Sequence, residues 1–515
     1  MAIKLSERTH PLYDDNIDLW ELYFDSAKGG EDFITDSNLY SHRLEDTEDF
    51  DERLQRAYFL NFCDTVPTIY NSYIFKENIE RPVSKNEVLN SFRRDVNGRS
   101  LNITDFVKRA GYFASIFGVV HALIAPPSSP KGQNLTEADA KLYGLRPKAT
   151  LIYPTQLVDW SLDSDGNYNW VIIKSAYYRD LDPGKEREEE THYKIITKEK
   201  WWVEDENGNK VKYEEQGRES TGTNTLGIVP LVTMYHKNME DDKVGESMLK
   251  DIVYINRAIL NWCSCVDEQI ERQTFSQLVV PDDGTLADEV ESGQDPLHAI
   301  GTSSIWTFPG DANHPPNFIS PDVANIQTIW TITIDHIKEI YRLAGLIGSS
   351  EDMYAMRSGR SAQYGFVSVN ASLSDKSYSY QVFENEISKL VYAYTTEDVS
   401  DYEETKYPNS FDITALRDEL DTIIKIMERN FSTSLNKYLQ KNVARRAAPM
   451  ATDEIKKVIE SEIDSGTGIV EVVNTFNTTQ QDGVDEGNPN VNRVKNTFST
   501  KQDMIDQKKD KQKTE

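Results

Sequence analysis

The sequence predicts an α+β protein, and three observations support that fold class. Apolar residues recur at helical spacing in 103–117, in 245–276 and in 322–344. Between the first two, residues 149–215 alternate apolar and polar residues with a period near two, which is typical of antiparallel strands. The chain has 515 residues, enough to bury a sizeable core and to form roughly two to four domains.

The composition is acidic, with 85 Asp and Glu against 56 Lys and Arg and a formal net charge of −29. Tight binding to nucleic acid over a broad surface needs the opposite balance, so that class is excluded, whereas transient contact with DNA is not. Three cysteines provide no disulfide framework and favour a reducing compartment. The first thirty residues have no apolar signal region, and no uninterrupted apolar stretch approaches the length of a membrane span. We therefore expect a protein made in the cytoplasm.

The first half of the chain gives several local predictions. Residues 1–50 are acidic and irregular, and the run 45–52 is typical of a solvated face. Asn102 is a suitable N-cap for the helix over 103–117, and Gly118 ends it before a strand. His121 lies within that strand, where a hydrogen-bonded, half-buried histidine is expected rather than a metal ligand.

Two Asp-, Asn- and Gly-containing segments, 163–167 and 204–209, predict hairpin turns in the strand region. The first is faintly similar to a calcium loop, but it lacks the spacing and the distal Glu of that motif. We therefore interpret both as turns.

The middle of the chain predicts a helix, a small β insertion and a second helix. The first helix, over 245–276, carries a stripe of apolar residues that step by three and four positions. Such a stripe is typical of a core or of a helix–helix interface. Its residues are Met248, Ile252, Ile255, Ile259, Trp262, Val266 and Ile270.

The C-terminal part predicts further helices. A Gly- and Ser-containing loop over 345–360 precedes a long helix, and a short strand is expected near 405–413. Two more amphipathic helices are predicted over 415–440 and 452–464. The remainder is polar, almost without apolar residues beyond about 475, and is expected to be disordered.

No known catalytic motif is present. The sequence lacks the glycine-rich phosphate loops, the paired histidines of zinc proteases and the serine nucleophile motif, and its cysteines lack metal-ligand spacing. We expect no catalytic residue, no cofactor and no metal. A hydrolase that uses paired carboxylates stays as an alternative, because such pairs are assembled only in three dimensions.

The order of these elements resembles the portal proteins of tailed bacteriophages, over roughly residues 50–465. The resemblance lies in "PLVTMYHKNMEDDKVGESMLKDIVYINRAILNWCSCVDEQI", which includes Gly245 and Ser247, and in the following "FSQLVVP". "VKRAGYFASIFGVVHALIAPP" and "IYPTQLVDW" are similar to the wing of that family. The resemblance rests on the order of the elements and on these phrases, and not on one specific motif.

The resemblance implies a portal-like fold with an α/β wing, a two-helix stem, a small β clip, a helical crown and a disordered C-terminal tail. The implied segments are an acidic N-terminal segment (1–50), the wing (51–244), stem helix 1 (245–276), the clip (277–320), stem helix 2 (322–344), a tunnel loop (345–360), a wing helix and return (361–411), the crown (412–465) and the tail (466–515). In such a ring the stem stripe from Met248 to Val266 is an assembly determinant. The tunnel loop, with Met353, Tyr354, Met356, Arg357 and Arg360, narrows the channel. A plain surface loop is the alternative for that segment.

The resemblance also implies a function and partners. Portal proteins form homo-oligomeric rings of twelve subunits at one capsid vertex of the virion, and viral DNA is packaged and ejected through them. The implied partners are the capsid protein, the packaging terminase, a head–tail adaptor and double-stranded DNA in transit, without a membrane. Another ring-forming virion component, such as an adaptor, is the alternative within the same class.

Overall fold

The chain was analysed as a computed structural model. It describes residues 4–76, 78–127, 146–179, 184, 186, 188–211, 220–237, 243–273, 277–282, 305–309, 317–319, 323–346, 359–395, 401–411, 425, 432–447 and 453–465. The chain divides into two units, residues 1–413 and 414–515. Helices and predominantly antiparallel sheets occur in separate stretches of the chain, so the α+β class is confirmed.

Five helices open the first unit: α1 (Pro11–Lys28), α2 (Thr47–Arg56), α3 (Phe62–Ile74), α4 (Glu87–Arg94) and α5 (Ile103–Phe117). The predicted ends of α5 are confirmed. The Asn102 side chain accepts a hydrogen bond from the backbone N–H of Asp105, and Gly118 follows the helix in the left-handed region at φ 90°.

The prediction that residues 1–50 are irregular is wrong for α1 and for the start of α2, whereas the run 45–52 is largely exposed, as predicted. In α1, Trp20, Tyr23 and Ala27 are buried in the main core, at helical spacing among acidic residues. Because many Asp and Glu residues surround these positions, the apolar spacing of α1 was not recognised in the sequence. Asp46 caps α2 by accepting from the backbone N–H of Asp49.

A three-stranded antiparallel sheet packs against α5. Strand β1 (Val119–Ala125) lies between β2 (Lys148–Ile152) and β8 (Leu231–Tyr235). The period-two pattern predicts β2 as a strand of the later meander. That part of the prediction is wrong, because β2 pairs with β1 in the three-stranded sheet. His121 of β1 is buried and its Nδ1 lies 3.0 Å from the Thr233 hydroxyl, while burial lowers its pKa to about 3. The expected hydrogen-bonded histidine is confirmed, although it is more deeply buried than predicted.

The predicted meander is confirmed as a five-stranded antiparallel sheet in sequential order. It consists of β3 (Leu157–Leu162), β4 (Tyr168–Arg179), β5 (Glu188–Thr197), β6 (Lys200–Asp205) and β7 (Thr221–Thr223). Both predicted turns are present. Asp163 and Asp205 each accept backbone N–H groups with their side chains, and Gly166 and Gly208 take positive φ values.

The central part is a helix, a small sheet and a second helix. They are α6 (Ile252–Gln273), strands β9 (Gln277–Asp282), β10 (Ile305–Pro309) and β11 (Asn317–Ile319), and α7 (Val323–Leu343). Strand β9 lies in the middle, parallel to β10 and antiparallel to β11. The two helices pack on each other. Helix α6 begins seven residues later than predicted, because residues 247–251 form a turn that is bonded to the end of α5.

A long helix, α8 (Gly359–Ala393), completes the core of the first unit with Tyr380, Phe383 and Ile387. The strand expected near 405–413 is reduced to an isolated bridge between Glu80 and Lys406. The core is continuous from α1, α3 and α5 through β1 to α6 and α8.

The second unit contains α9 (Thr433–Ala447) and α10 (Asp453–Ser465), which pack on each other. Lys441 Nζ lies 2.7 Å from Asp464 Oδ1. Helix α10 confirms the prediction over 452–464. The helix predicted over 415–440 overlaps α9 only from 433, and most of its remainder lies outside the described residues, as does the polar tail over 466–515.

Candidate functional site

The central helix pair joins the rest of the first unit where Gly118 and Gly245 meet. A β-carbon added to either glycine would overlap the carbonyl group of the other, and Gly118 also has φ +90°. Only glycine therefore fits at this crossing. The two residues bring the C-terminus of α5 into direct contact with the turn that precedes α6.

Hydrogen bonds from Ser247 hold the same joint. Its hydroxyl donates to the carbonyl oxygen of Ile116 and accepts from the N–H of Leu249 at 2.9 Å. The backbone N–H of Met248 donates to the carbonyl oxygen of Ser115 at 3.0 Å. The free carbonyls at the end of α5 are thus bonded by the segment that leads into α6.

A buried lysine lies beside this joint. The ammonium of Lys376, from α8, donates to the hydroxyl of Ser115 and to His236 Nδ1 at 3.1 Å, and it lies 5.8 Å from the centre of the Tyr70 ring. Among the described residues no carboxylate pairs with it. Burial lowers the pKa of Lys376 to about 7, and burial together with Lys376 lowers the pKa of His236.

The buried face of α6 is only partly the predicted one. It combines apolar residues with Asn256, whose side chain accepts from the N–H of Phe62 at 2.9 Å and donates to the carbonyl oxygen of Leu60 at 2.8 Å. Asn256 therefore caps α3 from a position almost 200 residues later in the chain. The buried face contains Ile252, Val253, Asn256, Ile259, Leu260, Cys263, Ser264 and Val266.

The predicted stripe residues fall into three groups. Ile252, Ile259 and Val266 are buried, whereas Met248 and Ile255 are half-buried against the core. Trp262 and Ile270 are 38% and 46% exposed, so these two residues lie outside the core of the single chain. Asn256 and Cys263 lie on the buried face together with the apolar residues. The assembly role of the stripe stays a prediction.

The segment before α3 holds α6 from another side through Arg53. This guanidinium is buried and donates to Glu45 Oε1 at 2.7 Å, to the Ser264 hydroxyl at 3.0 Å and to the carbonyl oxygen of Tyr40 at 2.8 Å. Arg56 adds ion pairs to Glu268 and Glu271 of α6. The acidic run at 45–52 thus contributes a structural partner, Glu45, that the sequence pattern did not indicate.

An apolar stripe on the opposite side of α6 is partly exposed. We call Tyr254, Ala258, Trp262 and Cys265 the outer stripe, because they follow each other at steps of four and three residues away from the buried face. Tyr254 is 47% exposed, and Cys265 is also exposed. Helix α7 exposes Trp330, Ile332 and Leu343. Large exposed side chains grouped on two adjacent helices are typical of surfaces that bind another protein.

The predicted tunnel loop is largely outside the described residues. Met353, Tyr354, Met356 and Arg357 lie there, and Arg360 falls in the first turn of α8, where side chains are not described. Gly345, which follows α7, has φ +67°, as expected of a residue that ends a helix. The proposed constriction stays a prediction.

Within the part of the chain that the structure describes, no group of three or more His, Cys, Asp or Glu side chains is arranged to hold a metal ion. The same residues include no helix long and apolar enough to cross a membrane.

Solved structures yield matches to this chain, whereas protein families and curated proteins do not. No family model matches the chain, and no curated protein matches it. One solved structure, described as the virion of a native gene transfer agent particle, is similar with a TM-score of 0.38 and 10% sequence identity. The match covers 73% of this chain and 89% of that chain. At this TM-score the likeness supports no conclusion about fold or function.

Proposed function

We propose that the chain is a structural subunit of a portal-type ring, through which viral DNA is packaged into and ejected from a virion. The observation that carries the proposal is the combination of two packed helices, joined through a small sheet, with apolar residues on their free faces. Both helices are fixed to one core: α6 through Asn256 and through Ser247 in the turn that precedes it, and α7 through the packing of Ile340.

Repetition of the chain around an axis explains the exposed apolar residues. The outer stripe of one copy packs against the side of α7 that carries Ile332 and Leu343 in the next copy. Two different surfaces then meet at each interface, and such contacts close into a ring when the rotation between copies divides a full turn. In this arrangement α6 and α7 are the stem, 277–320 the clip and 412–465 the crown.

The negative net charge of the chain is compatible with a channel through which DNA moves. A duplex carries one negative charge per roughly 1.7 Å of its axis. A predominantly acidic protein, with a net charge of −29 per copy, does not retain the duplex while it moves through. Since the sequence has no nucleotide-binding loop, the energy for packaging comes from a separate ATPase, the packaging terminase. The capsid protein and a head–tail adaptor are the other proposed partners.

Assembly through the outer stripe is tested by light scattering on purified full-length protein. The test variant is Tyr254→Ala and the control is Tyr178→Ala, because both tyrosines are about half exposed, at 47% and 53%, and only the first lies on α6. We expect wild type and Tyr178→Ala to form the same large oligomer and Tyr254→Ala to form a smaller or dissociating one at equal thermal stability. Wild-type protein that stays monomeric at micromolar concentration contradicts the proposal.

A further inference from the structure

A cleft distant in sequence from the helix pair lies where the N-terminal arm, residues 4–10, meets the five-stranded sheet. It has a volume of about 500 Å³, which is within the usual range of ligand sites. One wall is β3, the edge strand of the sheet, and the other walls are the arm, the start of α1 and Trp170 of β4.

Arg8 is held in this cleft with part of its guanidinium free. Its Nε donates to Asp159 Oδ2 at 2.5 Å, and its guanidinium carbon lies 4.7 Å from the centre of the Trp170 ring. Asp159 is buried, whereas the Arg8 side chain is 47% exposed. The two terminal nitrogens of Arg8 make no hydrogen bond to any described residue. A guanidinium fixed in this way presents donors in the planar geometry that a carboxylate accepts.

His10 adds a second donor. Its ring stacks on Trp160, with centroids 3.9 Å apart and planes at 12°. Its Nδ1 accepts a hydrogen bond from the N–H of Leu12 at 3.2 Å, so the neutral ring carries its proton on Nε2. No hydrogen bond from Nε2 to the described residues exists. The cleft therefore offers cationic and N–H donors between aromatic walls.

The edge of β3 adds backbone groups to the cleft. The N–H of His10 donates to the carbonyl oxygen of Val158 at 2.9 Å, so that carbonyl faces away from β4. Strand β3 has no strand partner on its side away from β4 among the described residues, and beyond the irregularity at Val158 it pairs with β4 in regular register over residues 159–161. Alternate residues of this stretch therefore present their backbone groups at the open edge. The N–H of Trp160 donates to Asp159 Oδ1 at 2.8 Å. Beyond His10, the edge at Trp160–Leu162 lines the cleft.

We propose that this cleft binds an extended acidic peptide segment of a partner protein. The segment adds to the edge of β3 at Trp160, and one of its carboxylates pairs with the free nitrogens of Arg8. Backbone hydrogen bonds at the edge supply affinity, and the Arg8 pair selects an acidic residue at one position. The negative net charge of the chain opposes a long acidic segment, so a single well-placed carboxylate is the recognised feature. The proposal is independent of ring assembly.

The test uses full-length protein and two labelled peptides with blocked ends: a Gln peptide of alternating Val and Gln, and a Glu peptide in which one central Gln of the same sequence is replaced by Glu. Binding is followed by fluorescence anisotropy. We expect the Glu peptide to bind at least about tenfold more tightly than the Gln peptide, as charge-assisted hydrogen bonds contribute more than neutral ones. Arg8→Gln should remove that difference, whereas Arg99→Gln, at an exposed arginine far from the cleft, should preserve it.

Three results would overturn the inference. The first is equal affinity for both peptides in wild type, which needs no variant and so does not depend on the folding of Arg8→Gln. The second is undiminished preference for the Glu peptide in Arg8→Gln. The third is displacement of the peptide by inorganic phosphate at equal concentration, which would show a simple anion site without recognition of an extended chain.

Discussion

The ammonium of Lys376 donates a hydrogen bond to the hydroxyl of Ser115 in the interior of the protein, where no described carboxylate neutralises it. Ser115 also offers its carbonyl oxygen to the N–H of Met248. The pair thus links α8 and α5 to the turn that leads into α6. An unneutralised buried cation at this joint makes the stability of the protein depend on pH.

Stability should rise with pH through the window set by Lys376. The pKa of Lys376 is about 7 in the folded chain, whereas the ordinary pKa of a lysine is 10.5. Between these two pH values the unfolded state therefore binds more protons than the folded state. The free energy of unfolding then increases by up to about 1.4 kcal/mol per pH unit from this one group. The lowered pKa of His236 acts in the same direction below its reference value of 6.5.

Urea unfolding of wild type and Lys376→Met, at intervals between pH 6.5 and 9.5, measures this contribution. Since tyrosines and other groups also titrate, the difference between the two proteins is the relevant quantity. We expect Lys376→Met to be at least as stable as wild type near pH 7 and to lose that advantage as pH rises. A difference that is constant over the whole range would show that Lys376 stays protonated in the folded chain.

A charge at Ile259 should disrupt the protein, because this residue of α6 is fully buried. Ile259→Asp places an unpaired carboxylate in the core, which costs several kcal/mol, on the order of 4 or more. Ile270→Asp is the matched control, since Ile270 lies on the same helix and is 46% exposed. We expect a large loss of melting temperature for Ile259→Asp and little for Ile270→Asp. Similar melting temperatures for the two variants would contradict the buried position of Ile259.

Gly118→Ala should loosen the joint between α5 and α6. The added methyl group would overlap the backbone of Gly245, and φ +90° is unfavourable for alanine. We expect a loss of roughly 2–4 kcal/mol in stability, measured by denaturant unfolding. Gly166→Ala is the control, because that glycine also has positive φ but open space around it. Equal losses in both variants would mean that φ, and not the contact with Gly245, restricts position 118.

The Arg53–Glu45 pair should stabilise the cover on α6. Arg53→Met removes the guanidinium from the Glu45 carboxylate, which is only 11% exposed and keeps the N–H of His42 as a donor. We expect a loss of about 2–3 kcal/mol, below the value typical of fully buried pairs because Glu45 keeps some solvent contact. The double variant Arg53→Met/Glu45→Gln should recover part of it. Strictly additive losses would show that the two side chains do not interact.

Local patterns predicted the elements whose determinants are close in sequence. Helix α5 follows from Asn102, its apolar stripe and Gly118, and the meander follows from its period and its two Asp-containing turns. The same patterns failed where a residue finds its partner far along the chain. Asn256 and Arg53 are polar or charged in sequence, yet both are buried because they bond backbone groups or helices that only the fold brings near.

The candidate site shows the same division. The sequence identified α6 and its apolar stripe, but it placed the buried Ile259 and the exposed Trp262 in that stripe without distinguishing them. An apolar residue on an amphipathic helix faces either its own core or another chain, and spacing alone does not separate the two. Trp262 and Tyr254 are exposed in the single chain, and we therefore propose that they contact another copy.

The central claim is that copies of this chain close into a ring with a channel. Electron micrographs of negatively stained, purified wild-type protein test it most directly through end-on views of single particles. We expect annular particles with rotational symmetry and a central hole wide enough for a DNA duplex. Particles of monomer size, or compact oligomers without a hole, would contradict it.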